Sequence, residues 1–107
     1  MKEGDIVIIT MPQADGIQKK RPVLILKTMP KFNDFLVCGI STQLHQCVEG
    51  FDEIVEPDSD NRLKQVSVIR LGFLVVEPQR NIQAKTGSIS ETLRKELLER
   101  LADYLLE

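Results

Sequence analysis

The sequence predicts a mainly β, single-domain protein: a small, strongly bent β-sheet or barrel covered by one C-terminal α-helix. Short β-branched and apolar runs recur between Asp5 and Ala84, separated by turns rich in Pro, Gly, Asn and Asp. From Ser88 onward the apolar spacing changes to that of a helix. A length of 107 residues supports one modest core and is too short for two.

Asp5-Ile6-Val7-Ile8-Ile9-Thr10 is nearly all apolar and reads as a strand buried on both faces. Met11-Pro12-Gln13-Ala14-Asp15-Gly16 is expected to break it, and a polar, mobile loop is expected to run through Lys20. Pro22, which lacks a backbone donor, suits the first residue of a strand over Val23–Lys27. A turn at Pro30–Asp34 leads into Phe35–Ile40, and residues 41–50 form a polar excursion ending at Gly50. Phe51–Val55 is a short strand stopped by Pro57, and Asp58–Asn61 is a turn-rich acidic loop. Gln65–Leu71 and Phe73–Val76 form one strand with a bulge or bend at Gly72. Pro78–Asn81 turns again, and Ile82–Ala84 is expected as a last short strand.

Ser88-Ile89-Ser90-Glu91 has the spacing of a capping box. Leu93, Leu97, Leu98, Leu101, Tyr104 and Leu105 then mark the apolar face of a helix. Arg94, Lys95, Glu96, Glu99, Arg100 and Asp103 are expected on its polar face.

Hydrophobic content of 42% and charged content of 28% exclude wholesale disorder. The net charge of −2 conceals a separation, since residues 49–60 carry six acids and no base while the segments outside them and outside the helix are basic. A mildly acidic chain can therefore carry a locally basic anion site. With no Trp and one Tyr, a base-stacking platform has to come from Phe32, Phe35, Phe51, Phe73 or Tyr104, which argues against an aromatic-rich RNA-binding sheet. Cys38 and Cys47 have no metal-type spacing, and Cys38 reads as a core residue; no metal site or cofactor is expected. There is neither a secretory signal nor an apolar run of membrane-spanning length, so a soluble cytoplasmic protein with no membrane partner is expected.

The chemically informative residues flank two of these strands. Arg21 stands at the mouth of Val23–Lys27, and Ser41-Thr42-Gln43 follows Phe35–Ile40. A guanidinium that is always charged, paired with hydroxyls, is a compact means of holding a phosphodiester. Arg21, Ser41 and Thr42 are the candidate catalytic residues; Lys19, Lys20, Gln43 and His45 are candidate substrate-binding residues. Taken singly, Arg21 is an ordinary surface charge, the hydroxyls cap a strand exit, and His45 is an exposed loop histidine.

The chain resembles the MazF/PemK family of toxin endoribonucleases from bacterial toxin–antitoxin modules. The matching blocks are Gly4-Asp5-Ile6-Val7, Lys20-Arg21-Pro22-Val23-Leu24-Ile25, Cys38-Gly39-Ile40-Ser41-Thr42-Gln43, Ser67-Val68-Ile69-Arg70-Leu71, and Gly87-Ser88-Ile89-Ser90 with the helix that follows. The resemblance implies an SH3-like barrel of the CcdB/MazF type, a homodimer, and metal-independent, sequence-specific cleavage of single-stranded RNA such as mRNA. It places the catalytic centre on Arg21 and Ser41, with Thr42 adjacent. Many members have Thr where this chain has Ser41, and Glu-Gln where it has Gly72-Phe73. An antitoxin is also implied, with a disordered, partly acidic tail that folds over residues 13–20 and occludes Arg21. Two alternatives stay open: a non-catalytic, CcdB-like inhibitor of a protein target, and a barrel without activity that serves as a binding module. Gyrase inhibitors of this shape present a C-terminal Trp, which this chain lacks.

Overall fold

A computed structural model describes residues 1–12 and 14–107. Gln13, part of the turn expected at Met11–Gly16, lies outside the described residues. The strands are β1 (Asp5–Pro12), β2 (Gln18–Thr28), β3 (Phe35–Ser41), β4 (Glu53–Val55), β5 (Ser67–Glu77) and β6 (Ala84–Ser88), and helix α1 spans Glu91–Leu105. They form one antiparallel sheet in the order β4-β5-β3-β2-β1-β6, curled into a half-barrel with α1 packed on one face. The expected class, mainly β with one C-terminal helix, is observed.

Both faces of the central strands are buried because their side chains alternate between two cores. Ile6, Leu24, Leu26, Cys38, Ile40, Ile69 and Leu71 pack under α1 against Leu97 and Leu101. Val7, Ile9, Val23, Ile25, Phe35 and Val37 form the second core on the opposite face, extended by Met11, Val75 and Ile82. The near-continuous apolar run at Asp5–Thr10 is the sequence trace of this double burial.

Several boundaries differ from the sequence reading. Met11 and Pro12 continue β1, and Gln18 to Arg21 already belong to β2, with Pro12 opposite Gln18 and Thr10 opposite Lys20. Both ends of the expected loop are thus paired as a two-stranded arm. Pro22 lies within β2, but the β3 ladder begins only at Val23, so its missing N–H faces a side without a partner strand. The last strand is Ala84–Ser88 rather than Ile82–Ala84, because Gly87 packs against the backbone of Asn61. A β-carbon at Gly87 would lie 2.1 Å from the Asn61 carbonyl oxygen. The helix N-cap is Ser90, whose Oγ accepts from Leu93 N at 3.1 Å, and the Ser88–Glu91 spacing forms no capping box.

Arg94, expected on the polar face of the helix, is buried. Leu26 is the extra residue of a bulge between β2 and β3, and its carbonyl accepts from Arg94 Nη1 at 2.9 Å. Nε donates to Glu91 Oε2 at 2.9 Å, and Glu3 lies 3.6 Å from Nη1. The guanidinium therefore joins the start of α1 to the off-ladder carbonyl of β2 and to the N-terminal segment. At the far end α1 outruns the sheet: Tyr104, Leu105 and Leu106 are exposed.

Replacing Arg94 by Ala leaves the Leu26 carbonyl without a donor, and a loss of about 2–3 kcal/mol is expected in chemical denaturation. The Glu91 carboxyl is held below its ordinary value of 4.5, chiefly by its hydrogen bond to Arg94. The stability it supplies is complete above about pH 4.5 and is lost as pH falls through the lowered folded-state value. Thermal melts of Glu91→Gln should show a flatter acid limb than the wild type.

Candidate functional site

The arm formed by β1 and β2, the end of β3 and the middle of β5 enclose an open cleft of about 510 Å³. Strand periodicity decides what faces it. Along β2, Lys19, Arg21, Val23 and Ile25 share one face, apolar where the second core closes and cationic where the arm runs into solvent. Gly39 and Ser41 share the corresponding face of β3. On β5, Ile69 and Leu71 point under the helix, which turns Arg70 toward the cleft. Lys19, Arg21 and Arg70 line it together with Ser41, Gln43 and Gln46. Met11, Pro12, Pro22, Val23 and Phe73 supply the apolar wall.

Among the described residues none of the lining side chains is a carboxylate, and neither Arg21, Arg70 nor Lys19 enters an ion pair. The six acids of residues 49–60 lie outside the lining. Three of them shape the fold instead, Glu53 by pairing with Arg100. Asp58 Oδ1 accepts from Asp60 N and Asn61 N, ordering the acidic loop. Asp52, which is buried, accepts from Val48 N and from Leu71 N, each at 2.9 Å.

The Asp52 contact bears directly on the cleft. Across β3 and β5, Cys38 faces Leu74 while Gly39 faces Arg70, so Leu71, Gly72 and Phe73 have no counterparts on β3. This is the bulge expected at Gly72, and Asp52 holds its first amide. The bulge directs Phe73 over Gly39, where a β-carbon would come within 3.0 Å of the ring's Cδ1. Cys38, one residue earlier, faces the helix-side core; burial, reinforced by Asp52, pushes its thiol up to about 12. It is therefore an inert core residue rather than a nucleophile.

Of the candidate catalytic residues, Arg21 and Ser41 share the cleft. Ser41 Oγ accepts from Gln43 N at 3.0 Å, which fixes the oxygen and leaves its proton free to donate. Thr42 is exposed at the bend after β3 and lies outside the lining. Lys19 and Gln43 are in the cleft, whereas Lys20 projects to the other side of the arm. His45 sits on the short 3-10 turn Leu44–Gln46, exposed and outside the lining. Arg70, Gln46 and Phe73 were not singled out as site residues from sequence. Arg70 did carry a signal, since it is the only charge in the mostly apolar run from Val66 to Val76; Gln46 carried none.

Among the described residues, no three His, Cys, Asp or Glu side chains come close enough to hold a metal ion, and no helix is long and apolar enough to cross a membrane. No curated protein matches this chain. A family model for the PemK-like, MazF-like toxin of type II toxin–antitoxin systems matches residues 2–105, which takes in every strand, the cleft and the helix. The chain belongs to that toxin family, whose membership also implies an antitoxin partner.

Proposed function

We propose that this protein is an endoribonuclease that cuts single-stranded RNA through attack of a ribose 2′-hydroxyl on the adjacent phosphorus. The observation that carries the reading is a cleft presenting three cations and a hydroxyl with no carboxylate among its described lining residues. Such a site attracts a phosphodiester and repels nothing on it. Its volume is that of a small-ligand pocket and suits a splayed nucleotide.

In the reaction the 2′-oxygen bonds to phosphorus and the P–O5′ bond breaks. A proton leaves the 2′-hydroxyl and another joins the departing 5′-oxygen, giving a cyclic phosphate and a free 5′-hydroxyl. RNA brings its own nucleophile, so the protein's share of the work is alignment and charge stabilisation. Arg21 and Arg70 hold the non-bridging oxygens of the five-coordinate phosphorus, each able to engage two oxygens. Ser41 donates from a fixed position, and Lys19 draws in the flanking phosphate. Gln43 and Gln46 present amides to a base edge. With no imidazole or carboxylate among the described lining residues, the 2′-hydroxyl proton passes to solvent in this reading.

The antitoxin, in this reading, competes for the same surface: an acidic, disordered tail lies along the cationic arm and covers Arg21. A homodimer carries two such clefts.

Cleavage of a long single-stranded RNA, mapped by sequencing in EDTA, should show full activity for the wild type. Arg21→Ala should lower the rate by about 100- to 1,000-fold, the cost of removing one transition-state donor. Metal dependence, or undiminished activity of the variant, contradicts the mechanism. His45→Ala should stay within about twofold of the wild type in the same assay, since its side chain does not reach the cleft.

A further inference from the structure

We propose that Phe73 selects the substrate at this cleft by stacking on the base next to the scissile phosphate, favouring a purine at that position. The inference rests on the ribonuclease reading and adds to it which part of the RNA is read and by what force.

Five aromatic side chains are available, and the fold commits four of them elsewhere. Phe35 is buried in the second core. Phe51 packs against Tyr104 beneath the tip of α1, ring centroids 5.0 Å apart. Phe32 is exposed in the β2–β3 turn, beyond the Thr28–Phe35 end of that ladder, whereas the cleft lies at its Val23–Gly39 end. Phe73 alone among them lines the cleft, which it shares with Arg70 and Arg21.

The ring is held in place from two directions. The bulge that carries it is anchored through Leu71 N to the buried Asp52, and the ring rests against Gly39, where any side chain would displace it. A half-buried ring with a fixed back and an open front loses little freedom on binding. Phenylalanine has no hydrogen-bonding group, so at this position discrimination comes from stacking strength, which favours the larger π-face of a purine. Hydrogen-bond reading is left to Gln43 and Gln46, which line the same cleft. Arg70 lines the same cleft, and in this reading it holds the phosphate next to the stacked base.

The test uses the full chain and a single-stranded 2′-O-methyl RNA, which binds without being cut. A randomised pool is selected on the wild-type protein, and the selected oligonucleotide is then resynthesised with one abasic position at a time. The expected result is a single purine position whose loss weakens wild-type binding by about tenfold or more. The same abasic substitution should cost Phe73→Leu less than twofold, while Phe73→Tyr should retain the wild-type response. Thermal melts confirm that each variant is folded, and if Phe73→Leu is not, Phe73→Met takes its place. In cleavage of ordinary RNA, Phe73→Leu should raise KM with little change in kcat and relax the motif at that one position. Equal abasic penalties in wild type and Phe73→Leu overturn the stacking role, even if cleavage proceeds. Coupling without any cleavage by the wild type overturns the ribonuclease reading and leaves stacking standing. Absence of RNA binding overturns both.

Discussion

A mismatch of length between two neighbouring strands underlies the site. β5 runs three residues longer than β3 across the step from Cys38 to Gly39, and the surplus has to leave the ladder. An unpaired amide in that surplus, buried beneath the helix, needs an acceptor, and the Leu71 amide finds one in the carboxylate of Asp52. Asp52 is in turn fixed by Val48 N, and Arg100 secures the next residue by donating to Glu53 Oε1 at 2.7 Å. The consequence on the opposite face is that Arg70 and Phe73 meet β2 and β3 at the point where Arg21 and Ser41 emerge. A strand pair in perfect register would bring Phe73 to a different place.

Charge separation is the second organising feature. Net charge near zero is compatible with a cleft of one sign because the acids occupy structural posts: Asp58 in the acidic loop, Asp52 beneath the bulge, and Glu3 and Glu91 around Arg94. The basic side chains that pair with acids, Lys27, Lys85, Arg94 and Arg100, are correspondingly those that hold the fold together. Those in the cleft have no such partners among the described residues. An unpaired guanidinium in an open cleft keeps its hydrogen-bonding capacity for a ligand, whereas one locked like Arg94 has none to spare.

The sequence made the class, the double burial of Asp5–Thr10, the Gly72 bulge and the C-terminal helix legible, because each is written in local periodicity or turn chemistry. Arg21 and Ser41 were legible through their position at strand ends and through the resemblance of their flanking blocks. Four features were not. The β1–β2 arm looks like a loop because its residues are polar, yet polarity there reflects a solvent-facing ladder rather than absence of one. Arg94 reads as a surface charge by helical spacing, and only the off-ladder carbonyl of Leu26, a tertiary fact, takes it inside. Lys20, Thr42 and His45 sit beside cleft residues in sequence, but strand alternation and the turn after β3 carry them away from it. Phe73 was visible as an aromatic and a departure from the family pattern, while its place over Gly39 depends on pairing thirty-four residues apart in the chain.

The central physical claim is that two guanidinium groups from different strands grip one phosphate beside a fixed hydroxyl. The most direct measurement is a crystal structure of the full chain with an uncleavable 2′-O-methyl RNA. The predicted result is a phosphate whose oxygens lie about 2.7–3.0 Å from nitrogens of both Arg21 and Arg70, within hydrogen-bonding reach of Ser41 Oγ. RNA seated on another surface with this cleft vacant, or a phosphate held without either guanidinium, would contradict it.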